Sequence, residues 1–132
     1  MRIRGGIISP KRAIRVGYIH LTRNSKVQQV GIDITSADTK EIKKGDWALL
    51  RIQEYLSLPR YICGFIIPRS TCFRKGIIVK SGLCDPGYRG YPRVAVFPYR
   101  NIEIKAGQRL AQIVFVRAHS ASIYRGKYQE VR

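Results

Sequence analysis

Residues 81–90 read SGLCDPGYRG and hold the turn tripeptide Asp85-Pro86-Gly87 between two apolar segments. The aspartate can accept a hydrogen bond from the turn backbone, the proline presets the next φ, and the glycine tolerates the positive φ of a type II turn. We therefore predict a β-hairpin with arms over about residues 77–84 and 88–97. Pro92 restricts the second arm to a sheet edge or a bulge near its start.

The other apolar segments of the chain are short and rich in β-branched residues, which is typical of strands. Turn residues separate them at the spacing of a β-sandwich or jelly roll. Residues 9–29 have the least regular pattern and are predicted to form a loop or one short helix. We predict a single all-β domain over residues 1–132, with strands near residues 2–8, 31–35, 47–52, 62–67, 76–79, 94–97, 102–104 and 110–116.

The composition indicates one compact and strongly basic domain of 132 residues. Its 25 lysines and arginines against 8 acidic residues give a net charge of +17, which attracts nucleotides, nucleic acid or anionic lipid. No apolar run approaches the roughly 18 residues of a transmembrane helix, and the N-terminus lacks the apolar block of a secretory signal. We expect a cytoplasmic protein with no membrane partner.

Several kinds of catalytic centre are not predicted. Cys63, Cys72 and Cys84 are odd in number and form no Cys-x-x-Cys pair, which argues against a disulfide framework or a cysteine zinc site. His20 and His119 are isolated, so neither a histidine metal cluster nor a Ser-His-Asp triad is indicated. The His-x-Glu and Pro-Cys-x-x-Cys motifs of zinc-dependent base deaminases are also missing from the sequence.

Asp85 is the only carboxylate between Tyr55 and Glu103. Nearby cations favour the charged form of a carboxylate, so Asp85 can act either as a turn residue or as a base. The basic residues in the same stretch are Arg60, Arg69, Arg74, Lys75, Lys80, Arg89, Arg93 and Arg100.

Four motifs resemble, in the same order, those of the superfamily of trimeric dUTPases and dCTP deaminases. They are VGIDI at residues 30–34, IPRST at 67–71 with RKGI at 74–77, SGLCDPGYRG at 81–90, and GQRLAQIV at 107–114. The resemblance implies a distorted jelly roll of the β-clip type and a homotrimer with its sites at subunit boundaries. YRGKYQ at 124–129 resembles the tail of the deaminase branch, which implies that residues from about 120 to 132 close over the nucleotide.

Two departures from the deaminase pattern indicate the branch within this superfamily. Deaminases carry a catalytic glutamate ten residues beyond the motif-three aspartate, and this position is Ala95 here. Alanine cannot move the protons that deamination requires. Ser81-Gly82 resembles the dUTPase hairpin, whereas deaminases tend to have Thr-Ala-His before the turn. The resemblance thus favours a dUTPase on a deaminase-like frame, which hydrolyses dUTP to dUMP and diphosphate with Mg²⁺.

The resemblance also implies roles for residues of the hairpin. Asp85 would deprotonate the water that attacks the α-phosphorus and would contact the sugar 3′-hydroxyl. Backbone groups at Gly82 and Leu83 would bind uracil. Tyr88 would pack under the deoxyribose and exclude a 2′-hydroxyl, or it is only a half-buried strand aromatic.

Residues outside the hairpin would bind the phosphates. Asp33 would orient a metal-bound water or hold an arginine of the second motif, and its alternative role is a strand-end cap. Guanidinium groups and neutral donors suit phosphate oxygens. The remaining substrate-binding residues that the resemblance implies are Arg69, Ser70, Arg74, Gln112, Lys127 and Gln129.

Three alternative functions remain open at this point. The missing glycine-rich fifth motif of common dUTPases motivates a nucleotide-binding or regulatory protein with weakened catalysis. A dCTP deaminase is less favoured because of Ala95. The net charge of +17 and the scattered tyrosines motivate a β-module that binds nucleic acid non-specifically.

Overall fold

The computed structural model describes residues 6–119 and 122–129 of the chain. This part is nearly all β, which confirms the predicted fold class. The elements are β1 (Ile7–Ile8), α1 (Pro10–Arg15), β2 (Ile19–His20), β3 (Lys26–Val27), β4 (Ile32–Thr35), β5 (Lys40–Ile42), β6 (Ala48–Arg51), β7 (Tyr55–Ser57), β8 (Ile62–Pro68), α2 (Ser70–Arg74), β9 (Ile77–Lys80), β10 (Leu83–Cys84), β11 (Arg89–Gly90), β12 (Arg93–Pro98), β13 (Ile102–Ile104) and β14 (Arg109–Arg117).

The largest sheet is built around β14. This strand pairs with β8 along one edge and with β4 and then β1 along the other. Because the strand lies inside the sheet, its side chains are mostly buried, and Ile113 and Phe115 belong to the largest fully buried side chains. Ile32 and Ile34 of β4 lie in the same core. The fourth motif is thereby fixed against the first and second motifs.

A second sheet contains β6, β12 and β9 in that order. Along β12, Val94 and Val96 face the core, while Arg93, Ala95 and Phe97 lie on the outer face, as the alternation of a strand requires. Ala95 pairs with Leu49 of β6 and with Lys80 of β9. The pairing of β9 with β12 joins the two predicted arms of the hairpin.

The tip of this hairpin is more open than the sequence pattern predicts. The turn itself forms: Tyr88 donates its backbone N–H to the Asp85 carbonyl at 3.1 Å, and Gly87 has φ 85°. However, β10 pairs with β8, and β11 pairs with β7. The strands on either side of the turn therefore diverge, because each is bound to a different sheet.

Residues 9–29 contain the predicted short helix. Ser9 accepts a hydrogen bond from the Arg12 backbone N–H, and Pro10 stands at the first turn, so α1 has a regular N-terminus. The two short strands β2 and β3 follow it. None of the helices in the described ranges is long and apolar enough to cross a membrane.

Candidate functional site

A cavity of about 200 Å³, which we term the hairpin cavity, opens where the two hairpin strands diverge. Four residues predicted to bind or activate nucleotide line it: Gly82, Leu83, Asp85 and Tyr88. The turn, the start of β12 and the segment 122–129 form its walls. The complete lining is Ser81, Gly82, Leu83, Cys84, Asp85, Tyr88, Pro92, Arg93, Tyr124 and Tyr128.

One wall of the hairpin cavity is a sheet edge. In the part of the chain that the structure describes, β10 is the terminal strand of its sheet and pairs only on the side of Phe65 and Gly64 in β8. The opposite edge of such a strand presents backbone N–H and C=O groups that no ladder uses. Because Gly82 and Leu83 are exposed and line the cavity, these groups can pair with the hydrogen-bonding edge of a flat ring.

Asp85 supplies the carboxylate of this cavity and is partly exposed, so water can reach it. The neighbouring thiol of Cys84 is buried, and burial raises its pKa to about 12, with a further rise from the Asp85 charge. A thiol with this pKa stays protonated near neutral pH and is a poor nucleophile. The cavity therefore offers carboxylate chemistry rather than thiolate chemistry.

Tyr88 forms the buried side of the cavity and is 8% exposed. Burial is the main reason that the pKa of its phenol is raised to about 12, whereas the Arg93 charge lowers it. Its ring meets the ring of Tyr124 edge-on with centroids 5.7 Å apart. Tyr88 is thus a neutral, fixed surface against which a sugar can pack.

The segment 122–129 lies on the turn of its own chain. Tyr124 donates its backbone N–H to the Pro86 carbonyl at 2.7 Å. The Gln129 amide donates to the Gly87 carbonyl at 2.8 Å and accepts from the Arg89 backbone N–H at 2.6 Å. These contacts place Gln129 on the hairpin backbone.

Two further contacts define this segment. A Cβ atom at Gly87 would collide with Ile123, so glycine is needed there for close packing as well as for its positive φ. The ammonium of Lys127 lies 5.2 Å from the centre of the Tyr128 ring, which is a cavity residue. Lys127 itself is exposed beside the cavity.

A second cluster lies at β4, β8 and β14, and we term it the Asp33 cluster. Asp33 is 1% exposed, and its Oδ2 atom accepts from Gln28 at 2.8 Å and from Arg109 at 3.3 Å. The same oxygen lies 3.6 Å from the Nε atom of Arg69. One carboxylate therefore holds two guanidinium groups, and the cluster keeps a net positive charge.

Gln112 lies next to this cluster, because its Cα pairs with that of Asp33 between β14 and β4. Its side chain occupies the space where a Cβ atom of Gly31 would stand. The Gly-x-Asp pattern of the first motif thus has a packing reason: the glycine admits Gln112 and the aspartate holds the arginines.

Beside the Asp33 cluster lies a cavity of about 300 Å³, the basic cavity. Arg69, Lys75 and Arg109 are the charged residues of its lining, which suits a polyanion such as phosphate. Ser70 and Arg74, at the two ends of α2, are exposed and line neither this cavity nor the hairpin cavity. The lining residues are Arg69, Thr71, Cys72, Lys75, Ile77, Gln108 and Arg109.

The hairpin cavity and the basic cavity share no lining residue. One copy of the described chain therefore divides the predicted site residues into a base-and-sugar half and a phosphate half. Sequence reasoning did not assign site roles to Arg93, Tyr124, Tyr128 and Arg109. Of these, Arg109 could have been found, because it stands inside the fourth motif.

The described ranges contain no group of three or more His, Cys, Asp or Glu side chains that could hold a metal ion. The Asp33 carboxylate already receives Gln28 and Arg109. Mg²⁺ commonly keeps several waters and takes its remaining oxygens from substrate phosphates. The donor set fits a divalent ion that is carried mainly by phosphate, with at most a water-mediated contact to the protein.

Comparison with known proteins gives sequence relatives with two names. A family model described as dCTP deaminase-like matches residues 16–118. A deoxyuridine 5′-triphosphate nucleotidohydrolase of Methanocaldococcus jannaschii is 34% identical over 86% of this chain and 74% of its own length. A dCTP deaminase of Aeropyrum pernix is 35% identical over 67% of this chain, which spans about half (51%) of that relative.

Solved structures show the same fold at lower identity. A 2′-deoxycytidine 5′-triphosphate deaminase from Agrobacterium tumefaciens superposes with a TM-score of 0.74 and 17% identity, covering 87% of this chain and 49% of its own. An aspartate-to-asparagine mutant of the dUTPase from phage phi11 of S. aureus is described with a structural Mg(II) ion. It superposes with a TM-score of 0.66 and 19% identity, covering 83% of this chain and 95% of its own. Enzymes of both names therefore share this architecture.

Proposed function

The chain belongs to the dCTP deaminase-like family, and within it we propose that it hydrolyses dUTP to dUMP and diphosphate. One observation carries the choice of reaction: Asp85 provides a carboxylate in the hairpin cavity, while position 95 holds an alanine and no second acid. Ala95 stands between Leu49 and Lys80, so neither cross-strand neighbour replaces the missing acid. Phosphate hydrolysis needs one base, whereas deamination also needs a proton donor to the leaving amine.

Asp85 acts as the general base in this proposal. Its carboxylate accepts a proton from water while the water oxygen bonds to the α-phosphorus. The bond from that phosphorus to the bridging oxygen breaks, and diphosphate leaves with the electron pair. The partial exposure of Asp85 admits the water, and the turn fixes the carboxylate at the cavity wall.

The hairpin cavity takes the nucleoside. The free edge of β10 at Leu83, together with the preceding Gly82, presents backbone donors and acceptors to uracil. Tyr88, whose ring is buried in the cavity wall, packs under the deoxyribose and excludes a 2′-hydroxyl in this proposal. The segment 122–129 covers this nucleoside, supported by its three hydrogen bonds to the turn.

The Asp33 cluster takes the phosphates. Asp33 orients Arg69 and Arg109, whose guanidinium groups bind phosphate oxygens, and Gln112 adds a neutral donor. Mg²⁺ carried by the phosphates would supply charge stabilisation in the transition state, and Asp33 would hold it through water. Additional phosphate contacts come from Ser70, Arg74 and Lys127, which are exposed and available.

A homotrimer would bring the two halves of the site together, since the hairpin cavity of one copy can face the Asp33 cluster of another. The outer face of the β6-β12-β9 sheet supports such an interface. Trp47 and Leu49 are 56% and 55% exposed, and the Trp47 ring stacks on Phe97 at 5.9 Å. Exposed apolar patches of this kind mark association surfaces.

The proposed reaction is tested with purified protein, Mg²⁺ and a panel of dUTP, dCTP, dTTP and UTP, with diphosphate and ammonia measured in parallel. We expect diphosphate from dUTP in preference to the other three nucleotides, and no ammonia. Asp85→Asn is the matched control. Binding of dUTP without release of diphosphate above this control would instead favour a regulatory nucleotide-binding protein.

A further inference from the structure

Two charged side chains line the hairpin cavity, Asp85 and Arg93. Asp85 has a role in the proposed reaction, whereas the proposed reaction assigns no role to Arg93. Arg93 is the first residue of β12, is half-buried and lines the cavity. A ligand in this cavity that offers an acceptor can therefore receive a hydrogen bond from its guanidinium.

The backbone locates Arg93 at the base end of the cavity. Its carbonyl accepts a hydrogen bond from the Ser81 hydroxyl at 3.2 Å. Ser81 directly precedes Gly82 and Leu83, whose strand edge is proposed to bind uracil. The Arg93 charge is also close enough to Tyr88 to lower the pKa of that phenol against the larger effect of burial.

Within residues 6–119 and 122–129, the neighbours of Arg93 on the outer face do not neutralise it. Its cross-strand partner is Arg51, a second cation, and the next residue on the same face of β12 is Ala95. The phosphate half of the site has its own arginines, Arg69 and Arg109, in the other cavity. A base contact therefore explains the position of Arg93 better than a phosphate contact.

A guanidinium group only donates hydrogen bonds. Uracil presents a carbonyl oxygen at C4, which accepts, whereas cytosine presents an amine there, which donates. We propose that Arg93 donates to the C4 carbonyl of uracil and opposes the C4 amine of cytosine, so that it is a specificity-determining residue for the pyrimidine. This inference rests on the proposed function, because it assumes that the hairpin cavity takes the base of a deoxyuridine nucleotide.

The test compares Arg93→Gln and Arg93→Lys with Arg51→Gln as the matched control, which removes a cation from the cross-strand position outside the hairpin cavity. Equilibrium affinities are measured for the α,β-imido analogues of dUTP and dCTP, and kcat/KM is measured for both nucleotides. Thermal unfolding of each variant checks that the fold is retained.

We expect Arg93→Gln to reduce the preference for the uracil analogue by about tenfold or more, because a glutamine amide both donates and accepts and can serve either base. Arg93→Lys retains most of the preference, and Arg51→Gln leaves it unchanged. An equal loss of affinity for both analogues, or an unchanged ratio in Arg93→Gln, overturns the inference. Since binding is measured without turnover, a wild-type protein that prefers the uracil analogue but releases no diphosphate would refute the proposed reaction and not the role of Arg93.

Discussion

The buried Asp33 carboxylate lies 3.3 Å from the Nη1 atom of Arg109, and the same oxygen lies 3.6 Å from Arg69. Arg109 starts β14 and Arg69 directly follows β8, so Asp33 fixes side chains that are far apart in sequence. Neither arginine is fully buried, with side-chain exposures of 36% for Arg109 and 23% for Arg69. The carboxylate thus orients two guanidinium groups while leaving part of each open to a ligand.

Asp33→Asn should weaken this arrangement and lower kcat/KM for dUTP by roughly 10- to 100-fold, since hydrogen bonds to charged groups contribute about 1.5–3 kcal/mol each. The loss should appear mainly in KM, because the arginines bind phosphate. Asp46→Asn, which changes the same charge in an exposed turn, is the control. A loss that is restored by raising the Mg²⁺ concentration would show instead that Asp33 acts through the metal.

Asp85→Asn should reduce hydrolysis by roughly 10²–10⁴-fold, because an amide keeps hydrogen bonding but cannot accept the proton of water. The affinity for dUTP should stay within about tenfold of wild type, since the turn and the cavity are preserved. Diphosphate release under single-turnover conditions measures the chemical step directly. If Asp85→Asn turned over dUTP at the wild-type rate, Asp85 would have only a structural role in the turn.

The strands of this fold could be predicted well where apolar segments are long enough to show a pattern. Ile102–Ile104 matches its prediction, and the segments predicted at 62–67 and 110–116 lie within β8 and β14. The strands β10 and β11 lie within the predicted hairpin arms, but their partners were not predicted, because each pairs with a strand distant in sequence and not with the other arm. The same pairing opens the tip of the hairpin, which local turn chemistry predicts to be tight.

The candidate site was predictable to a similar extent. Gly82, Leu83, Asp85 and Tyr88 lie within one turn motif, and the structure brings them to one cavity. Arg93 was not assigned a role, because the feature that selects it is its half-buried position at that cavity. Tyr124 and Tyr128 reach the cavity through packing of the segment 122–129 on the turn, which sequence spacing does not reveal. The predicted tail extends to residues 120–121 and 130–132, which lie outside the described residues.

Wild-type protein should release no ammonia from dCTP, and Ala95→Glu should not create a deaminase. The introduced carboxylate would stand between Leu49 and Lys80 on the outer face, and Ala95 does not line the hairpin cavity of its own copy. The Ser81-Gly82 segment also lacks the polar partners that would position an attacking water. Ammonia assays across the pH range check both statements. Ammonia from the wild-type protein would overturn the proposed reaction.

Leu49→Asp should dissociate the proposed homotrimer without unfolding the subunit. Leu49 is 55% exposed in one copy, so an aspartate there remains solvated in a free subunit but would be buried in an apolar interface. Sedimentation equilibrium should give three copies for wild type and one for the variant, with activity lost in parallel. Val27→Asp, at another exposed apolar position, serves as the control. A wild-type protein that sediments as a monomer would contradict the trimer.

Alkaline pH should destabilise the fold through Cys84, whose pKa burial raises from 9.0 to about 12. Above pH 9 the unfolded chain loses the thiol proton while the folded chain keeps it, so the contribution of this group to stability is present below pH 9 and falls as pH rises. The expected slope for this one group is about 1.4 kcal/mol per pH unit between these two values. Urea unfolding at a series of pH values measures the slope. Cys84→Val removes this titrating thiol and should make the curve less steep above pH 9. The remaining slope comes from groups such as Cys63, Cys72 and Tyr88, whose pKa values burial also raises. An unchanged slope in Cys84→Val would show that the thiol is not protected in the folded protein.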